Sequence, residues 1–237
     1  EAHGDGAGLL RERVAHDLRC HAAIAGFHPL QLDPPESVSR AGGRHRQRGE
    51  LGPRDRMIVY AADLIGRDGV PGTSIGDVLA ASKAPRGSIY HHFPGGKSEL
   101  MTEAVRYAGE FISSRIADTH AGSAADAVVS IGDVWRKMLV STDFQRGCPV
   151  LAGGLARRAE PTMADEADEI FRRWRHQIAA RLVYEGVDDA RADSLANLII
   201  AGIEGAVGLS MTQRSVEPLD LVITELARLC ESAVVAG

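Results

Sequence analysis

Cysteine is scarce in this chain, with 3 in 237 residues, at positions 20, 148 and 230. An odd number with no short spacing supplies neither a disulfide framework nor a CxxC metal pair, so no metal site is expected and a reducing cytoplasm is the expected setting. Aromatic residues make up only 5%. Glycine and proline gather in a few places instead of recurring at strand-length intervals, which argues against a sandwich or barrel. Every apolar stretch is broken by a charge or a glycine before it reaches about eighteen residues, so no bilayer span and no membrane partner is expected. The marks of common enzymes are missing too. There is no HExxH, phosphate loop or dinucleotide fingerprint, and no nucleophile elbow set between a strand and a helix, and hence no expected catalytic residue and no expected cofactor.

Acid is missing from one stretch in particular. The chain carries a net charge of -5, yet between Ala80 and Ser98 no acidic residue occurs, while Lys83, Arg86, His91, His92 and Lys97 do. The excess acid lies beyond residue 100. A basic patch inside an acidic chain points toward a polyanion.

With 44% hydrophobic residues the chain can bury a sizeable core, and the apolar spacing places that core on helices. Residues 1–52 show no such spacing and read as a loosely packed extension. A short helix around Leu9–Cys20 fits there, the apolar piece Ala22–Phe27 is too short for a signal peptide, and Arg44, Arg46 and Arg48 form a candidate basic arm. From Pro53, apolar residues at Met57, Ile58, Ala61, Ala62, Leu64 and Ile65 predict a first helix that stops at Gly69, with Pro71 beyond. Thr73 offers the N-cap of a second helix ending near Ser82. Pro85 suits the first turn of a third, running to about His92. Pro94-Gly95-Gly96 breaks that helix, and a long amphipathic one follows from about Lys97 to Ile116. Two short helices joined by a tight turn between longer ones form a helix-turn-helix unit over residues 53–101.

Residues 102–237 read as a second all-helical unit. Helices are expected at about 124–142, 150–157 and 164–184. Two regular apolar stripes close the chain: Leu195, Leu198, Ile199, Gly202, Ile203, Ala206 and Val207, then Leu219, Val222, Leu226, Leu229 and Cys230. Gly202, Gly205 and Gly208 would let a neighbouring helix approach closely.

Thr73-Ser74, Pro85-Arg86-Gly87-Ser88-Ile89-Tyr90-His91-His92-Phe93 and Lys97-Ser98-Glu99-Leu100 stand in an order and at a spacing that resembles the DNA-binding domain of the TetR family of transcriptional regulators. Together with Gly147-Cys148-Pro149-Val150 the wording is most similar to the LmrA/YxaF-type branch. The resemblance implies an all-α fold with an N-terminal three-helix DNA-binding domain and a C-terminal ligand-binding and dimerisation domain. It also implies a function: a repressor that leaves a near-palindromic double-stranded operator when a small molecule binds. A ligand-responsive activator, or a ligand-binding scaffold without DNA binding, fits the same residues.

The residue chemistry stands beside the resemblance. Arg86 has the fork to pair with guanine O6 and N7, and Ser88 the hydroxyl to donate or accept at a base edge. Gly87 and Ala84 keep the backbone close, with Pro85 between turn and helix. Thr73, Ser74, Lys83, Tyr90, His91 and Lys97 supply phosphate contacts. His91 and His92 point apart on a helix and do not read as a metal pair. In the second unit Phe111, Trp135, Met138, Phe171, Trp174 and Ile178 are the candidate pocket lining, with Arg115, Arg136, Arg175 and His176 as alternative anchors for an anion. Leu195, Leu198, Ile199, Gly202, Ile203, Ala206, Leu219, Val222, Leu226 and Leu229 are the candidate interface of a homodimer, in which two helices per subunit make a four-helix bundle. Cys148 reads as a buried thiol, with redox sensing as the alternative.

Overall fold

The computed structural model describes residues 51–118 and 122–235. The extension up to residue 50, with its expected helix at Leu9–Cys20 and its arginine arm, lies outside the described residues. Within them no strand occurs, and one continuous apolar core runs from Met57 to Cys230.

Helix α1 spans Pro53–Gly72, with Gly52 as N-cap, Pro53 at its first position and Asp55 in its first turn. The stop expected at Gly69 is a kink instead. Gly69 sits at φ 68° and ψ 174°, a backbone region open to glycine, and the last turn resumes across Pro71. Thr73 is not the next N-cap. It is 1% exposed and donates its hydroxyl to the Gly69 carbonyl at 2.8 Å, one turn back. Ser74 caps α2 (Ile75–Ser82): the Asp77 N–H donates to Ser74 Oγ at 3.1 Å and the Ser74 N–H donates to Asp77 Oδ2 at 3.2 Å. Only Ser74 has a carboxylate three residues on to complete that box.

Lys83 ends α2 in the left-handed region at φ 54° and ψ 33°, a position where glycine is at ease. The expected helix over Pro85–His92 is shorter and tighter. Pro85 is extended and lies outside it, Arg86–Ser88 is a 3-10 turn, and α3 covers only Ile89–His92. Gly96, at φ 68°, turns the chain into α4 (Gly96–Asp118), while the Gly95 N–H donates to Glu99 Oε2 at 2.7 Å. Phe93 and Ile89, 0% and 2% exposed, fasten this small unit inward, and the Arg54 guanidinium lies 5.1 Å over the Phe93 ring.

The remaining helices are α5 (Ala124–Ser141), α6 (Pro149–Leu155), α7 (Pro161–Tyr184), α8 (Asp189–Gln213) and α9 (Glu217–Val235). Ser123 and Asp126 repeat the capping box at α5, and Asp188 caps α8. α4 packs on α7, α5 on α9, and α8 lies against α5, α7 and α9. α6 touches α1, α4 and α7, and so ties the first helix to the later bundle.

α8 is apolar on average although no unbroken apolar run passes through it. Among the described residues it is one helix long and apolar enough, by length and composition, to cross a membrane, with mean hydropathy 1.5 and 39% of that stretch buried. Single charges and glycines interrupt the run without lowering the average much. Leu195, Ile199, Ile203 and Ala206 face the core, while Leu198 (46%) and Leu209 (53%) are exposed.

Candidate functional site

The acid-free stretch forms one exposed rim around α3. Lys83, Pro85, Arg86, Gly87, Tyr90 and His91 are exposed, Ala84, Ser88 and Lys97 half-buried. Tyr90, 67% exposed, holds its ring near Gly96, where an added Cβ would lie 3.5 Å from Tyr90 Cε1. His91 stands edge-on to His92, ring centroids 5.0 Å apart. At Gly87 a Cβ would meet nothing within 4 Å, so the chain's own packing does not call for a glycine there.

Two expected contacts change character. Thr73 is buried with its hydroxyl spent on Gly69, which moves it from the rim to the joint between α1 and α2. The Ser88 hydroxyl donates to the Pro85 carbonyl at 2.6 Å, so its oxygen is left to accept rather than donate. Ser74 remains exposed at the start of α2.

Behind this rim, α1 meets the loop that enters α6. Arg146 is 2% exposed, and its Nη1 lies 3.0 Å from Asp63 Oδ1 on α1. The Gly147 N–H donates to the Gly66 carbonyl at 2.9 Å, and a Cβ on Gly66 would stand 2.9 Å from Gly147 O. Burial pushes the nearby Tyr107 phenol up to about 12, against the opposing pull of Arg146. The next residue, Cys148, accepts the Leu151 N–H at 3.4 Å, so loop and α6 share one short frame.

Leu151 of that frame also forms part of the wall of a cavity of about 280 Å³, lined besides by Asp168, Phe171, Arg172, Arg175, Asn197, Ile200, Ala201 and Glu204. A much smaller void of about 20 Å³ adjoins it, lined mainly by Ile112, Ile131, Trp135, Trp174, Ile178 and Ile203, with Glu204 again on the wall. Burial raises the Glu204 carboxyl to about 7, partly offset by the hydrogen bond from the Cys148 thiol. Burial first, and then the Glu204 charge, hold the Cys148 thiol well above its usual range, which leaves it a poor nucleophile.

Phe171 therefore lines the cavity, and Trp135, Trp174 and Ile178 line the void. Met138 is core away from both, and the Phe111 ring lies under the Arg115 guanidinium at 5.3 Å. Of the alternative anchors only Arg175 reaches the cavity, and Arg136 is engaged by Asp133 and Asp220. The sequence reading passed over Glu204. A lone acid inside the stripe Leu195–Val207 was the available signal.

The candidate dimer residues divide. Leu195, Ile199, Ile203, Ala206, Leu219 and Leu226 are at most 5% exposed within the single chain, so they are core and not free surface. Gly202, Val222 and Leu229 are half-buried, and Gly202 faces Leu226 and Val222 of α9. Leu198 stays outside, joined by Gly205, Leu209 and Leu221. A helix gripped by its own neighbours turns a different face outward than its widest apolar stripe suggests.

Residues 58–104 match the family described as bacterial regulatory proteins, tetR family, and residues 124–225 match the C-terminal domain of LmrA/YxaF-like transcriptional regulators. An uncharacterized HTH-type transcriptional regulator of Mycobacterium tuberculosis is 42% identical over 186 residues, covering 75% of this chain and 94% of that protein. The HTH-type regulator YxaF of Bacillus subtilis is 32% identical over 178 residues, or 73% and 92%. A crystal structure of a TetR transcriptional regulator from Chloroflexus aurantiacus superposes with a TM-score of 0.61 at 31% identity, covering 74% of this chain and 92% of that one.

Proposed function

The chain belongs to the TetR family of bacterial transcriptional regulators, and on that premise we propose that it represses transcription from a near-palindromic operator and leaves it when a small molecule occupies the cavity beside α6. The observation that carries this is the rim around α3. Lys83, Arg86, Tyr90 and His91 are exposed on a stretch without a carboxylate, and Gly87 is open to a close neighbour. Such a rim suits phosphate positioning with one or two base contacts, Arg86 to guanine first among them.

Residues 53–101 act as the reading unit and residues 102–237 as the sensing and pairing unit. A homodimer joined through the outward faces of α8 and α9, at Leu198, Gly205, Leu209 and Leu221, would present two copies of α3 to successive major grooves, about 34–36 Å apart. The joint at Arg146 and Gly147 gives the cavity its mechanical route to α1. A ligand that fits better when α6 shifts would move α1 with it and spoil the spacing. A coupling of about 1–3 kcal/mol weakens operator binding about five- to 150-fold.

The test is an anisotropy titration of the full chain against DNA upstream of its own gene at two salt concentrations, followed by genome-wide selection of bound fragments. Salt-dependent, sequence-selective binding is the expected result. An empty selection would sink the regulatory reading and leave a ligand-binding protein.

A further inference from the structure

Resting on that reading of an effector-responsive regulator, we propose that the cavity between α7 and α8 takes an apolar molecule carrying a protonated amine, with the Glu204 carboxylate as the group that holds the ammonium. Glu204 stands in the middle of an otherwise apolar helix stretch and forms part of the wall of both the cavity and the adjoining void. Its Oε2 is sealed from water and has no hydrogen-bond partner. An acceptor left in that condition costs about 1–3 kcal/mol, more when charged, and a donor delivered by a ligand recovers it. Cys148, the neighbouring thiol, is a weak donor and carries no charge to balance the carboxylate.

The other charges on the cavity wall favour a cation over the alternatives. Asp168 and Arg172 are paired with each other, and Glu169 also holds Arg172. Arg172 and Arg175 are exposed, so an anion drawn to them gains little in water, and its remaining bulk would press toward Glu204. A neutral hydroxyl satisfies Oε2 but leaves the buried charge unbalanced. An ammonium does both. The body of the ligand meets Leu151, Phe171, Ile200 and Ala201, and 280 Å³ accommodates a two-ring hydrocarbon frame.

Three isosteric probes separate the possibilities: 2-naphthylmethylamine, 2-naphthylmethanol and 2-naphthoate, titrated calorimetrically into the full chain at pH 8 without DNA. The amine is expected to bind at least about tenfold tighter than the alcohol, and Glu204→Gln to erase that preference while changing the alcohol's affinity by less than about twofold. Glu204→Asp keeps the charge and should keep a reduced preference, which guards against a misfolded Gln variant. The chain's 2 tryptophans, Trp135 and Trp174, both line the void, so their indole N–H resonances should shift with the amine. The proposal is overturned if the alcohol or the naphthoate binds as tightly as the amine, if the amine's advantage survives Glu204→Gln, or if the amine does not bind at millimolar concentration. Because no DNA is present, those outcomes leave the regulatory reading standing. A chain that selects the amine but no DNA overturns that reading and not this site.

Discussion

Two regions of the chain use arginine in opposite ways. On the rim around α3, Arg86 stands in water, and no carboxylate occurs in the sequence from Ala80 to Ser98 to compete for it. At the joint between α1 and the loop before α6, Arg146 is 2% exposed and its charge is matched by Asp63 at 3.0 Å. The rim can be altered at little cost to folding, because nothing in the chain leans on it. The joint cannot, because a buried charge without its partner is expensive. Recognition and transmission should therefore separate cleanly in experiments that read stability and DNA affinity side by side.

Arg146→Ala tests the joint. It removes the buried guanidinium, leaves Asp63 with only the longer contact to Arg67 at 4.0 Å, and opens a hole beside Gly66, and a loss of about 3–5 kcal/mol of stability is expected in a denaturant titration. A loss below about 1 kcal/mol would show that the joint is no firmer than the rim. Glu204→Gln comes next. The folded-state carboxyl titrates near 7 instead of 4.5, so the native chain binds the proton more tightly than the unfolded one. That stability is present below about pH 4.5 and is lost as pH rises to about 7. The variant should flatten the wild type's pH profile across that window by roughly 3 kcal/mol, from about 1.4 kcal/mol per pH unit. Equal profiles would mean that Glu204 is better solvated than its enclosed oxygen implies.

On the rim the effects move to the other readout. Arg86→Ala should weaken specific DNA binding by about 1–3 kcal/mol and leave the melting temperature unchanged. A fall in melting temperature with unaltered DNA affinity would reverse the roles assigned to the two regions. Lys83→Gly gives the smallest change. Relief of the left-handed lysine should stabilise the chain by up to about 1 kcal/mol, and removal of one phosphate contact should lower the slope of log affinity against log salt by about one.

The sequence carried the helices well where the apolar spacing was long. α4, α5, α7, α8 and α9 fall close to where Phe111, Trp135, Trp174, Leu195 and Leu226 put them. It misread places decided by one backbone angle or one hydrogen bond. Gly69 kinks without ending its helix, Ser74 displaces Thr73 as a cap because Asp77 answers it, and Pro85 stands outside the turn it precedes. The exposed rim was legible because charge and absence of acid are local properties. The cavity was not, because which side of α8 faces inward depends on α7 and α9. Glu204 looked like an interruption in a stripe until three-dimensional packing set it on a cavity wall.

α8 divides its circumference among three tasks. Leu195, Ile199 and Ile203 fill the core, Ile200 and Glu204 shape the cavity, and Leu198 and Leu209 look outward. Insertion of one residue ahead of them would rotate everything downstream by about 100° and exchange all three tasks at once. Divergence in ligand preference is thereby pushed away from α8 and toward single substitutions at Phe171 or Arg175 on α7, which can drift without disturbing how two copies of the chain meet.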